Sequence, residues 1–545
     1  MKKIVGSILL VFTLQLHTPI FADKEYDKYF IYFKDAISNF HLKNHSSAEG
    51  INASKKKIKQ KKVGKAILVN WSFILADSIS YWSKYTKWLE DWQFTLTWKD
   101  QKRRFFTTEA IKFDSNPFMT NWTHGISGAG FFNIARYYRL NIFESVLFSL
   151  SSSLSWEYLT EWREVISIND IFFSGIAGLH IGEPIFQTAK YLLSGKGLSN
   201  KIFGYLLNPV FAINDLIGSK KWRENFKEEY YGTPNNYFNI GYKSNSFSNS
   251  ETDNLRMTNI RMETIFINIP NFNKNSTEKF SGRLKNTFFS RISFDISFTS
   301  RHIEEYSFET EAVISGFAKK QFIRNPNNRL KGFKYYFGLS TAFELYKKRS
   351  IVEYDKGEFH YDFTKKESPP QPTQFTDKLA IIDLLGSAFN FSQYYGNFRI
   401  NLLLNAYFNF SLVNSLALNE YSKYNDLSEP YKKTTLTHYG YYYAFGYSLR
   451  GGLALSFGNL KLSGLIKHQK FASIQSLDRF QNEIEDDAKV KDERTINRVE
   501  LEFRIPKSKI FLVATVENIF RKGEFKEIIE KKNEHRIYTK IKFSF

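Results

Sequence analysis

Phe398–Leu412 reads FRINLLLNAYFNFSL. Phe398, Ile400, Leu402, Leu404, Phe408 and Phe410 fall on one face of an extended chain, with Arg399, Asn401, Asn405 and Asn409 on the other, because successive side chains of a strand point to opposite faces. Phe288–Phe298 repeats the pattern, setting Phe288, Ile292, Phe294, Ile296 and Phe298 against Arg291, Ser293, Asp295 and Ser297. Val499–Ile505 does so again, with Val499, Leu501, Phe503 and Ile505 opposite Glu500, Glu502 and Arg504. Such runs exceed the ~5–6 residues usual for soluble strands and approach the length that crosses a bilayer.

From about Tyr237 onward, segments near 236–245, 254–268, 283–299, 306–321, 332–346, 376–393, 398–412, 440–457, 459–471, 495–505, 509–521 and 535–545 share this period. They predict an antiparallel transmembrane β-barrel of about 12 strands. Gly396-Asn397, Gly458-Asn459 and Pro506–Lys509 make tight connections, whereas 347–375, 413–439, 472–494 and 522–534 are long and polar. Bacterial barrels alternate short periplasmic turns with long outer loops, and an even strand count returns both ends to one side. Ile537, Thr539, Ile541, Phe543 and Phe545 alternate to the terminal residue. That ending resembles the signal by which outer-membrane barrels engage their assembly machinery.

Composition agrees. The 545 residues include 54 Phe and 32 Tyr, 17% of them being aromatic, yet the mean hydropathy is −0.38. A barrel reconciles the two values, since only every second strand residue meets lipid. The absence of cysteine excludes disulfides, thiolate catalysis and a cysteine-linked lipid anchor. The net charge of +21 suits lipid phosphates and lipopolysaccharide as acidic partners. No motif points to nucleic acid.

Upstream, Met1–Ala22 has the layout of a signal peptide: Lys2 and Lys3, an apolar centre over Ile8–Leu16, and a cleavage region over Pro19–Ala22. A polar, basic lead-in follows over 23–65, ending in the lysine-rich SKKKIKQKKVGK. Ile67, Trp71, Ile74, Leu75, Ile79 and Trp82 recur at helical spacing and predict an amphipathic helix with its apolar face in a core. A helical domain is expected over 66–232 and the barrel over 233–545, an α+β architecture overall.

Between Asp114 and Pro184 the apolar helical faces carry His124, Arg136, Glu157, Glu161, Ser167, Asn169, Asp170 and Glu183. His124, Gly128, Phe132 and Arg136 share one helical stripe. A second helix is expected over roughly Phe143–Glu164, and Ser167-Ile-Asn-Asp170 has the form of a capping box opening a third. Charges on such faces are costly to bury unless they are paired.

Asn116-Pro117-Phe118, His124 with Gly128, Ala135-Arg136, Ser155-Trp156-Glu157-Tyr158, Glu161, Ser167-Ile168-Asn169-Asp170 and Gly182-Glu183 form an ordered set. Together they resemble domain-of-unknown-function family 3943 over about residues 114–184. Two positions depart from that family's pattern, with Gly125 and Ile166 where proline is common. The resemblance implies an outer-membrane protein with a helical region ahead of a barrel, and no established reaction.

The cluster has two chemical readings. As a catalytic site, His124 would be the base, Glu157 or Glu161 its orienting partner, and Ser167 or a water the nucleophile. As scaffolding, Arg136 and His124 would satisfy Glu157, Glu161 and Glu183, while Ser167 and Asp170 cap a helix. Scaffolding is favoured, since no G-x-S-x-G elbow is present. His124, Glu157, Glu161, Asp170 and His180 offer metal-type ligands without a metal motif, so no metal or other cofactor is expected. Arg399, Arg498, Glu500, Glu502 and Arg504 are expected to face the lumen. The leading expectation is a narrow channel or a transport or assembly component, with the helices on the periplasmic side or plugging the lumen. The alternative is a lipid-active hydrolase or acyltransferase.

Overall fold

The computed structural model describes residues 61–85, 93–217 and 235–544, apart from 115, 117, 196, 248–254, 270, 274, 325, 327–328, 350–376, 419–434, 436–439 and 480–488. The signal-like segment and the lead-in up to residue 60 lie outside the described residues.

Helices come first: α1 (Val63–Tyr85), α2 (Trp98–Phe106), α3 (Phe118–Tyr137), α4 (Ile142–Ser155), the short α5 (Ile168–Asp170), α6 (Ala177–Ser194), α7 (Leu198–Leu207) and α8 (Pro209–Ile217). Two π-helical turns, Trp156–Thr160 and Ile171–Ile176, follow α4 and α5. A two-residue parallel pair, β1 (Ile111–Lys112) with β2 (Ile166–Ser167), ties the start of this unit to its middle.

Twelve strands follow: β3 (Asn235–Phe247), β4 (Leu255–Ile267), β5 (Phe280–Phe298), β6 (Ile303–Arg324), β7 (Leu330–Lys348), β8 (Asp377–Tyr395), β9 (Phe398–Asn414), β10 (Tyr441–Phe457), β11 (Leu460–Ser473), β12 (Val490–Arg504), β13 (Ile510–Phe525) and β14 (Ile528–Ser544). Each pairs antiparallel with the next, and β14 pairs back to β3 from Tyr237↔Ser544 to Phe247↔Glu534. The barrel is closed, as the alternation predicts. One connection differs from expectation. The stretch 522–534 is not a loop, because β13 runs on to Phe525 and β14 starts at Ile528. Arg521 and Glu534 face the lumen there, while Lys522 and Glu524 pair on the opposite face, so the polar run belongs to two longer strands.

The two faces of the wall separate cleanly. Phe408, Leu449, Leu453, Val516 and Ile537 are exposed on the exterior. The interior is crossed by ion pairs between strands that are not neighbours: Arg536 of β14 to Glu305 of β6 at 2.9 Å, Lys348 of β7 to Glu534 at 2.5 Å, Lys243 of β3 to Glu305 at 2.7 Å, and Arg521 of β13 to Asp377 of β8 at 2.8 Å. Lys467 of β11 pairs with Glu344 of β7 in the same way. Only the lumen lets such strands meet. Arg498 reaches Glu517 at 2.6 Å, Glu500 accepts from Thr515, Glu502 meets Lys461 and Lys542, and Arg399 lies over Tyr394. Arg504 stays at the rim, donating to the Ser508 carbonyl. Of the five sequence-predicted lumen residues, Arg498, Glu500 and Glu502 thus join the polar network, while Arg399 stacks on a ring and Arg504 bonds to a backbone carbonyl.

Apolar clusters lie beyond this network toward both rims. Leu379, Ile381, Tyr442, Phe471 and Phe525 pack with Ala417 and Leu418 at the long-loop rim. Ile269 and Phe272, from the β4–β5 connection, pack with Phe289, Tyr336 and Ala388 at the tight-turn rim. Phe288 joins the second layer rather than the exterior, because the register shifts between Lys285 and Phe289.

The helices do not enter the lumen. Phe343 and Leu345 of β7, Ala380 and Ile382 of β8, Phe410 and Leu412 of β9, and Tyr441 and Tyr443 of β10 form one core with Phe113, Phe118, Phe173, Ala177 and Ile181. Their strand neighbours Glu344 and Tyr442 point inward, so these residues belong to the outer face. The expectation of a lumen plug is corrected: side chains of the barrel itself occupy the lumen, and the helical unit is seated on the outside of the wall. Its α6 continues down that wall, where Tyr191 packs on Phe266 of β4 at 5.7 Å between ring centroids.

Arg536→Met leaves Glu305 and Glu517 without their shared cation and is expected to cost ~3–5 kcal/mol. A lower temperature for conversion of the compact barrel band to the unfolded band in gel-shift electrophoresis checks this; an unchanged temperature contradicts it.

Candidate functional site

The helical unit packs through small residues. A Cβ on Gly128 of α3 would lie 2.0 Å from the Ser174 carbonyl oxygen, and one on Gly178 of α6 would lie 2.6 Å from Ser149 Oγ. Ser149 of α4 donates to both the Gly128 and Ser174 carbonyls, at 3.2 and 3.0 Å. A π turn leaves carbonyls without their usual helical partners, and here a serine satisfies one of them.

The polar cluster lies where α4 ends. The π turn after α4 presents Glu157, which is buried and accepts a hydrogen bond from the Ser167 amide at 2.8 Å. Glu161 accepts from the Trp156 indole at 2.9 Å. Ser167 caps α5 by accepting from the Asp170 amide at 3.2 Å, as the sequence pattern predicts, and its hydroxyl also donates to Asn169 at 2.9 Å. Asn169 is the hub. Its oxygen also accepts from the Asp114 amide, and its nitrogen donates to Asn121 and Asp170 at 3.1 and 3.0 Å. His124 Nε2 lies 3.6 Å from Asp170.

The barrel completes the network. Asn121 donates to the Tyr441 hydroxyl at 3.1 Å, and Tyr441 donates to the Asn116 carbonyl. Tyr443 donates to the Asp114 carbonyl at 2.8 Å. Arg479, in the connection after β11, meets Asp114 at 2.6 Å and Glu164 at 3.6 Å. Beneath the cluster Arg104 of α2 is fully buried, donating to the carbonyls of Glu157, Glu161 and Glu164. A cation at the carbonyl end of a helix is favourable. Residues 110–210, which hold nearly all of this cluster, match the family model described as a domain of unknown function, DUF3943.

Over that stretch the chain is similar to this family of unknown function.

Among solved structures, the chain is similar to OmpTdeltaL8, a loop-deletion mutant of an outer membrane protein of Vibrio cholerae, at 7% identity over 58% of this chain and 100% of that one, with a TM-score of 0.21. The KdgM porin aligns at 10% identity over 56% of this chain and 99% of its own, with a TM-score of 0.20. Outer membrane phospholipase A from Escherichia coli, as an active-site mutant, aligns at 10% over 58% and 91%, with a TM-score of 0.22. No curated protein matches the chain. Likeness at these values carries no argument, and the barrel rests on its own strand pairing.

The sequence-predicted site residues separate into two groups in the helical unit. His124 meets Asp170 rather than Glu157 or Glu161. Ser167 is buried, and its hydroxyl is engaged by the cap and by Asn169. Arg136 pairs with Glu183 at 2.8 Å, one of the pairings the scaffolding reading allows, and Gln187 and Thr287 of the wall also donate to Glu183 at 2.7 Å. The expected satisfaction of Glu157 and Glu161 by Arg136 and His124 does not occur. His180, weighed as a ligand, instead sets its ring nitrogens against the Ile176 and Asp383 carbonyls. Sequence reasoning missed Arg104, Asp114, Asn121, Tyr441, Tyr443 and Arg479. Arg104 sits in a run, KDQKRRFF, that carries every mark of a solvated face.

Glu157, Glu161 and Asp170 bring carboxylate oxygens within 4.8 Å of one another and are the residues that could hold a cation. Burial, reinforced by the neighbouring carboxylates, raises Glu157 and Glu161 well above the ordinary glutamate range. Burial pushes Asp170 up to about 6 and Glu164 up to about 7. The folded state thus binds more protons here than the unfolded chain. Stability from these groups is present below the ordinary carboxyl range and is lost as pH rises through about 6 to 7. Hydrogen exchange over residues 156–171, corrected for intrinsic rates, is expected to quicken between pH 5.5 and pH 8. Glu161→Gln should flatten that dependence, and equal protection at both pH values contradicts it.

Proposed function

We propose that this chain is an outer-membrane barrel whose function is exercised at its outer wall, through the helical unit, and not by conduction through the lumen. One observation carries the reading: ion pairs join strands on opposite sides of the lumen, while the helices are seated on the exterior. A channel needs a continuous polar path, and here apolar layers lie above and below the paired charges. The outer-membrane location is supported by the apolar exterior, the even strand count and the closure of β14 on β3. Its partners on this reading are membrane lipids, lipopolysaccharide and, during biogenesis, the barrel assembly machinery recognising the C-terminal strand.

Full-length protein in planar bilayers is expected to pass no steady current. A sustained ohmic conductance overturns the closed-lumen reading and restores the narrow channel.

A second reading, chemistry on membrane lipid, is favoured by the His124–Asp170 contact. His124 keeps 20% of its side chain accessible while Asp170 is buried, an arrangement in which a carboxylate can orient an imidazole base. Among the described residues no serine or threonine hydroxyl hydrogen-bonds to His124, so water would be the nucleophile. Envelope lipid extracts incubated with folded protein are expected to show turnover that His124→Ala abolishes. Identical lipid profiles for the two proteins, by mass spectrometry, dismiss it.

A further inference from the structure

The helical unit is arranged inside out. In α4, Ser145, Ser149, Ser152 and Ser153 are buried, while Phe143 is exposed and Val146, Leu147, Leu150 and Leu154 are partly so. In α1 the buried stripe is Ala66, Asn70, Ile74 and Ser78, whereas Leu68, Leu75 and Ile79 are 68, 55 and 66% exposed. Asn70 reaches Ser152 at 2.9 Å and Ser78 reaches Thr160 at 2.7 Å, so the polar groups bond to one another across the helices. Water-soluble helices bury the opposite face. Helices surrounded by hydrocarbon gain nothing from hiding leucine, and pack instead through small residues and internal hydrogen bonds.

Position says the same. The wall that the domain covers is the exterior of β6–β10, whose uncovered residues Phe408, Phe337 and Leu449 remain exposed beside it. The contact runs from Tyr441 and Tyr443 near the long-loop rim to Phe266 near the tight-turn rim. A body fixed along that height has its far side in whatever bathes the wall. No helix among the described residues is long and apolar enough to cross a membrane, so the barrel must carry the domain there. The charge-free stretch of α1, Ala66–Ala76, is bounded by Lys65 and Asp77. It rises ~16 Å, about the depth of one hydrocarbon leaflet.

We propose that the outer face of the helical unit is a lipid-facing surface, covered by the acyl chains of the membrane in which the barrel stands. This rests on the outer-membrane reading above and extends it to the helices.

The absence of cysteine makes a direct test possible. Leu68→Cys, Leu75→Cys and Ile126→Cys probe the helices, Leu453→Cys the barrel wall, and Lys509→Cys the aqueous tight-turn rim, all in full-length protein reconstituted into phosphatidylethanolamine/phosphatidylglycerol vesicles opened to reagent on both sides. The helical sites are expected to match Leu453→Cys, reacting with a charged maleimide about tenfold or more slowly than Lys509→Cys. A fluorophore placed on them is expected to be quenched by nitroxide on lipid acyl chains. Helical sites that label as fast as Lys509→Cys, with Leu453→Cys still protected, overturn the inference and leave the barrel standing. Protection without lipid quenching also overturns it, since a protein then covers the face. Rapid labelling of Leu453→Cys removes the outer-membrane reading and this inference together.

Discussion

Charges that can reach one another only through the lumen hold this molecule in register. Arg536 binds Glu305, Glu517 and Glu534 from three strands, and Lys348 and Lys243 close the same cluster from two more. A buried ion left single is far costlier than one that is paired, and a strand displaced by one residue would turn its charges outward. Because these inward charges find partners on other strands, the outward residues of those strands are fixed as an apolar wall. That wall is what the helices pack on.

The second dependency is the inverted packing of the helical unit. Gly128, Ser149, Ser174 and Gly178 meet so closely that an added methyl at either glycine would overlap a neighbour. Such contact is available to small residues only. It brings α3, α4 and α6 near enough for Asn169, Asn121 and Ser167 to form one hydrogen-bonded set, which Tyr441 and Tyr443 of β10 then join to the barrel. The cluster is thus a joint between two structures as well as a group of ionisable side chains. Of its members, the His124–Asp170 pair keeps an accessible side.

Much of this was legible in the residues. The alternation at Phe398–Leu412 and Val499–Ile505 marks strands, because a period of two has no other regular structure to match. The Ser167-x-x-Asp170 cap was legible too, since a cap is local. The apolar face of α1 was not. Ile67, Trp71, Ile74, Leu75, Ile79 and Trp82 read as a core stripe, yet of these Ile74 alone is buried, and it is buried beside Ala66, Asn70 and Ser78. Amphipathic spacing says that a helix has two unlike sides and leaves open which side faces protein. The partner of His124 was likewise hidden, as Asp170 lies on a separate helix that meets α3 only in the folded unit.

The sequence by itself determined the wall: strand number, strand direction, the inward placing of Arg498, Glu500 and Glu502, and closure through the terminal strand. These follow from neighbours along the chain, whose alternation is a backbone property. Only the tertiary structure decided that the lumen is crossed by paired charges and that the described helices lie outside it. Both depend on which distant side chains come within a few ångströms, and one sequence carries no spacing rule for that.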